Sequence, residues 1–79
     1  MTGENTFAIN EATASLVSSL EESGFTVTEN NRQSIRRVFA RCRDSPRACI
    51  LALGIMKQTR NTGRLIALWH NRLSQYGLL

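Results

Sequence analysis

The side chains of this chain that could do chemistry are mainly arginines. Nine of its ten cationic residues are arginine, all ten lie in residues 30–79, and Asp44 is the one acid in that stretch. The other five acids lie in residues 1–29, which hold no Lys or Arg. Residues 1–29 therefore carry −5 (five carboxylates) and residues 30–79 carry +9 (ten cations minus one carboxylate) at neutral pH. This asymmetry predicts a polyanionic partner, nucleic acid first.

The arginines suit phosphate recognition because a planar guanidinium can donate two hydrogen bonds to one phosphate. Five of them flank the apolar stripe of the predicted second helix, and Glu29 is the one acid spaced to neutralise any of them, by pairing with Arg32. Such a surface predicts salt-dependent binding that is largely independent of base sequence. The predicted phosphate contacts are Arg32, Arg36, Arg37, Arg41, Arg43, Arg47, Arg60 and Arg64.

Two other interpretations of the same surface stay open at the level of sequence. The basic face could pack against the acids of the predicted first helix (Glu11, Glu21 and Glu22), within one molecule or between two copies in a homo-oligomer, or simply be solvated. It could also dock on a protein partner with an acidic surface. The ten cations exceed those acids, so a surplus of positive charge is expected in any case.

Catalytic, metal and membrane chemistry have little support in the sequence. His70 is the one histidine and has no acid nearby in sequence, so it is expected to be a surface or capping group and the protein is not expected to be an enzyme. No cofactor or metal motif is found. Cys42 and Cys49 are expected to be small core residues of a reducing compartment rather than a disulfide framework. With no secretory signal and no membrane-length apolar run, the prediction is a cytoplasmic protein without membrane contact.

Periodicity and capping signals predict four helices and no paired strands. A flexible, extended arm over residues 1–9 precedes a helical domain over residues 10–79, whose first helix runs from an Asn10 cap to a stop at Gly24. The second helix spans 29–43 after a Thr28 cap, and the third spans 46–58 after Ser45-Pro46. The fourth begins at a cap supplied by Asn61 or Thr62 and runs to about residue 76, before Gly77.

The third helix is apolar almost all round, which predicts a buried helix. The fold class is therefore expected to be a compact all-α single domain of four helices with a buried third helix. Phe39, Trp69 and Tyr76 fall on apolar stripes and are expected in the core rather than on a base-stacking platform. Leu78 and Leu79 either fold back on the bundle or meet a partner.

If the protein contains a helix-turn-helix, its third helix cannot be the recognition helix, because that helix has almost no polar side chains to reach base edges. The fourth helix is the candidate reader, with five polar residues off its apolar face: Arg64, His70, Asn71, Arg72 and Gln75.

One stretch resembles a known family. The stretch consists of Ile50-Leu51-Ala52-Leu53-Gly54-Ile55, followed by Arg60-Asn61-Thr62-Gly63-Arg64-Leu65-Ile66-Ala67-Leu68-Trp69. It resembles the C-terminal helical domain of DnaD-like replication proteins. In that domain an apolar helix is followed by a polar loop and then by a helix with an aliphatic run and a Trp. The resemblance covers about a quarter of the chain. It implies DNA binding in replication initiation, often with oligomerisation.

Taken together, the residues predict a non-enzymatic nucleic-acid-binding or nucleoprotein accessory module. The alternative is a small helical interaction subunit or inhibitor that docks on an acidic partner.

Overall fold

The computed structural model describes residues 2–53 and 59–79, which form four helices and no strand. They are α1 (Thr2–Glu22), α2 (Glu29–Arg41), α3 (Pro46–Leu53) and α4 (Thr62–Gln75). The radius of gyration is 11.8 Å, close to the value of about 12 Å expected for a folded domain of this length. The predicted all-α domain of four helices is confirmed. None of these four helices is long and apolar enough to cross a membrane.

Side-chain caps fix the starts of three helices. The Thr28 hydroxyl accepts a hydrogen bond from the Asn31 amide (3.1 Å), while the Asn31 side chain accepts one from the Thr28 amide (3.0 Å), which closes a capping box on α2. Ser45 accepts from the third residue of α3 at 3.3 Å, and Asn61 accepts from the third residue of α4 at 3.0 Å. Of the two predicted caps of the fourth helix, Asn61 is therefore the one used.

Two glycines end helices in the left-handed conformation. Gly24 (φ 96°) follows α1, and the next residue, Phe25, donates its amide to the Leu20 carbonyl at 2.9 Å. Gly77 (φ 72°) follows α4 in the same way, and Leu78 donates to the Leu73 carbonyl at 2.9 Å. Both are Schellman motifs, which glycine permits because it has no Cβ. Both predicted stops are confirmed.

The first helix begins at Thr2, not at the predicted Asn10 cap, so residues 2–9 are helical rather than extended. Ile9 lies against the core, and its carbonyl accepts a hydrogen bond from the buried Thr13 hydroxyl at 2.7 Å. The Asn10 side chain does not cap a helix, because it accepts a hydrogen bond from Arg36 Nε at 2.8 Å. The flexibility of residues 1–9 and the domain boundary at residue 10 stay predictions.

The core is centred on Trp69 of α4, which is only 1% exposed. Its indole N–H donates to the Cys49 carbonyl of α3 at 2.8 Å, and its ring meets Phe39 of α2 edge to face, with centroids 5.2 Å apart. One side chain thus ties three helices together. The buried apolar residues around it are Ala12, Leu16, Val17, Leu20, Ile35, Val38, Phe39, Cys49, Ala52, Leu65, Ile66 and Leu73.

Helix α3 is buried on one side only. Cys49 and Ala52 are buried, but Leu51 is 74% exposed, so the expectation of a helix covered all round is wrong for the described residues. The reason is that α3 packs on α1 and α4, while none of the described helices covers its opposite face. Residues 54–58, which the prediction includes in this helix, lie outside the described residues. Tyr76 is also not a core residue: it caps the end of α4 and is 62% exposed.

The structure joins Cys42 and Cys49 as a disulfide, which corrects the expectation of two free cysteines. Cys42 is the C-cap of α2 and Cys49 lies in α3, and the short turn between the helices brings them together. The C-terminal tail folds back on the bundle, because the Leu78 carbonyl accepts the Arg43 amide at 2.6 Å and Leu79 lies half-buried against the core.

Candidate functional site

All eight arginines predicted as phosphate contacts have exposed side chains. The ninth, Arg72, is half-buried, and its Nη1 donates to the carbonyls of Ala52 and Leu53 at 3.4 and 3.5 Å. These carbonyls belong to the last described turn of α3. Arg72 therefore joins α4 to α3, and it is not free to read bases as the helix-turn-helix hypothesis would require.

The exposed arginines are not neutralised by close ion pairs within the described part of the molecule. None of them forms a salt bridge with a carboxylate there, and the α1 acids Glu11, Glu21 and Glu22 are exposed. Glu29 accepts a hydrogen bond from the Gln33 side chain at 2.9 Å, so its predicted pairing with Arg32 is wrong. Gln33 lies one full turn after Glu29 on the same face of α2, so its side-chain amide reaches the carboxylate.

Two of the eight arginines face α1. Arg36 donates to Asn10, as described above. The Arg60 guanidinium lies at the C-terminal end of α1, where its Nη1 is 3.9 Å from the position that a Cβ on Gly24 would occupy. A cation is favoured there by the negative end of the helix dipole. Arg36 and Arg60 thus both lie near α1.

Helices α2 and α4 lie side by side and run parallel. At their N-terminal ends, the buried Thr62 hydroxyl of α4 donates at 2.6 Å to the carbonyl of Thr26, three residues before α2. At their C-terminal ends, the Leu78 carbonyl after α4 accepts the Arg43 amide after α2. Edge-to-face packing of Phe39, in the last turn of α2, on Trp69, in the middle of α4, adds a third contact between the two helices. The relative position of these two helices is therefore fixed along their whole length.

An open groove of about 710 Å³ runs between α2 and α4. The buried residues Val38 and Ile66 lie at its base. Arg37 and Arg41 line the α2 side, and His70 and Asn71 line the α4 side. No acid lines it; the remaining lining residues are Ser34, Ala40, Gly63 and Ala67. An apolar base between cationic and hydrogen-bonding walls can hold a ligand that has both an apolar face and negative charge.

Sequence reasoning left His70 and Asn71 out of the predicted phosphate contacts and named them only as candidate base readers on the fourth helix. His70 was expected to be a surface or capping group, whereas it lies half-buried in the groove opposite the two arginines. The available signal was the helical spacing of residues 63, 67, 70 and 71, which places them on one stripe of α4. Arg64 shares a face with Ala67 and Asn71 by the same spacing but does not line the groove. This stripe forms one side of a groove because α4 packs beside α2, and the sequence alone does not show that packing.

No protein-family model, curated protein or solved structure matches the chain. The resemblance to DnaD-like proteins stays a prediction. Within the described ranges, no three His, Cys, Asp or Glu side chains gather where they could hold a metal ion.

Proposed function

We propose that the protein is a non-enzymatic nucleic-acid-binding module that contacts phosphates through its exposed arginines. One observation carries the proposal: eight arginine side chains are exposed, and none of them is paired with a carboxylate in residues 6–53 and 59–79. A surface of this kind attracts a polyanion and releases its counterions on binding. The DNA-binding role and the replication context implied by the DnaD-like resemblance belong to the same proposal.

The size of the salt effect follows from the number of phosphates neutralised. If about four arginines contact phosphates at once, the slope of log K against log [salt] is about −3.6 for duplex DNA. Raising the salt concentration from about 50 to about 200 mM would then weaken duplex binding about 150-fold. Binding measured at a single salt concentration would not distinguish this mechanism from a specific contact.

The test is fluorescence anisotropy with labelled DNA and RNA, single-stranded and duplex, over a series of salt concentrations. Charge reversal of Arg36 and Arg37 together should abolish binding while far-UV circular dichroism stays that of the native protein. Gln substitutions at Glu21 and Glu22 are the control: they alter exposed charges on α1 and should strengthen binding slightly. Absence of binding to every nucleic acid at low salt would contradict the proposal.

A second candidate function is a helical interaction module for an acidic protein surface. It is favoured by the exposure of Leu51, a large apolar side chain on the uncovered face of α3. Protein interfaces combine such apolar groups with arginine. This candidate predicts that an acidic polypeptide such as poly-glutamate binds at low salt where the nucleic acids do not.

A further inference from the structure

We infer that the groove between α2 and α4 binds single-stranded nucleic acid, with one base on the apolar floor of the groove beside Ala40 and Ala67 and with neighbouring phosphates against Arg37 and Arg41. This inference rests on the proposed function and names its substrate class and its site.

The charge on the α2 wall fits a nucleotide chain. Arg37 and Arg41 are one helical turn apart, a rise of about 6 Å along the axis, which is comparable to the separation of successive phosphates along a strand. Both are exposed and neither is bonded to a carboxylate in the described residues. Arg36 lies on the same helix, but its side chain donates a hydrogen bond to Asn10. The two groove arginines are therefore the free pair at this spacing.

The apolar base of the groove favours a single strand over a duplex. Val38 and Ile66 are buried below the groove, and the exposed Ala40 and Ala67 add apolar surface to its lining. Phosphates alone would leave that alanine surface uncovered. In a duplex the flat faces of the bases are stacked on one another, whereas an unpaired base can place its face on a protein surface. The groove volume of about 710 Å³ is within the usual range for small-ligand sites and can admit one nucleotide.

The α4 wall supplies groups that suit a base edge. The Asn71 amide offers both a donor and an acceptor, and the His70 ring offers a planar face and ring nitrogens. An acidic peptide would also satisfy the two arginines, but its carboxylate side chains offer no aromatic ring for this wall. Arg64 shares this face of α4 by its helical spacing and adds an exposed positive charge outside the groove lining, as a continuous polyanion requires.

The charge test compares two double variants that each remove two exposed arginines. R37A/R41A removes the groove pair; R43A/R47A removes two arginines at the α2–α3 turn, outside the groove lining. Anisotropy with a labelled single strand of mixed sequence should show a loss of about 20-fold for R37A/R41A and less than about fivefold for the control. The salt slope should fall by about 1.4 in R37A/R41A, because two phosphate contacts to a single strand are lost.

A second pair of variants tests the groove without changing charge. Asn71→Ala should weaken single-strand binding about fivefold with no change in salt slope, since it removes a hydrogen-bonding group and no cation. Gln75→Ala is the control, because Gln75 is also exposed on α4 but does not line the groove. The wild-type protein should prefer the single strand to a duplex of the same sequence by about tenfold. Circular dichroism verifies that each variant is folded.

The outcomes separate this inference from the proposed function. Equal losses in the two arginine double variants, or equal affinity for single strand and duplex, would overturn the groove assignment while leaving nucleic-acid binding in place. No binding to any nucleic acid would overturn both. Binding of poly-glutamate that depends on Arg37 and Arg41, and is tighter than that of the single strand, would assign the groove to an acidic peptide instead.

Discussion

Replacement of Trp69 by Phe should destabilise the protein by about 2 kcal/mol, a sum of two terms of similar size. The substitution keeps an aromatic ring against Phe39 but removes the indole N–H that donates to the Cys49 carbonyl at 2.8 Å. It therefore tests how much of the fold depends on the one side chain that contacts α2 and α3 from α4.

The lost hydrogen bond contributes about 1 kcal/mol, the net value of a typical intramolecular bond. The lost ring atoms contribute a second term, because Trp69 is 1% exposed and the space it leaves cannot be filled by solvent at no cost. Indole exceeds phenyl by about 40 Å³, and about 24 cal/mol per Å³ of residual cavity gives about 1 kcal/mol. Against a total stability of about 4–12 kcal/mol for a chain of this size, the variant stays folded.

The assay is urea unfolding followed by far-UV circular dichroism, which does not depend on the lost tryptophan. With a dependence on urea of about 1 kcal/mol per M, the midpoint should fall by about 2 M. Phe39→Leu is the companion variant: it removes the ring pair but keeps the indole hydrogen bond. Nucleic-acid binding by folded Trp69→Phe should be unchanged, because Trp69 does not line the groove.

A loss below about 0.5 kcal/mol for Trp69→Phe would refute the reasoning, since an exposed surface substitution costs no more than that. Such a result would mean that the indole is neither buried nor bonded to α3, and the parallel placement of α2 and α4 would lose its central contact.

Two further predictions concern the supports of the groove. Thr62→Val should lower the free energy of unfolding by about 1–2 kcal/mol, because its buried hydroxyl donates to the Thr26 carbonyl at 2.6 Å; Thr26→Val leaves that backbone acceptor in place and should be nearly neutral in the same urea titration. Gly77→Ala should lower the free energy of unfolding by about 1 kcal/mol, because a side chain is strained at φ 72°. Gly63→Ala, within α4, should be neutral or stabilising. Thermal unfolding that ranks the two glycine variants in the opposite order would contradict the assigned end of α4.

Much of the secondary structure could be predicted because its signals are local. A hydroxyl or amide at a helix start and a glycine after a helix end act on amides and carbonyls a few residues away. Thr28, Asn61, Gly24 and Gly77 therefore have the roles that the sequence indicated. The start of α1 could not be predicted this way. Asn10 resembles a cap in sequence, but Arg36 bonds its side chain, and Ile9 gains burial by continuing the helix.

The candidate site could be predicted only in part. Exposure of the arginines followed from their charge, since arginine is almost never fully buried without a partner. Sequence could not say that Arg72 would differ from the others by bonding α3, or that Glu29 would accept from Gln33. It also could not bring Cys42 to Cys49 or leave Leu51 exposed, because both outcomes depend on how α3 is placed against its neighbours.

By itself, the sequence determined the division of charge between residues 1–29 and 30–79, the four helices and most of their ends, because these depend on composition and on interactions within a few residues. The tertiary structure decided which arginines are free to act together. Parallel packing of α2 on α4 places His70 and Asn71 across from Arg37 and Arg41, residues that are about thirty positions apart in the chain. No local signal specifies that neighbour relation, since it results from burying Phe39, Trp69 and the rest of the core at once.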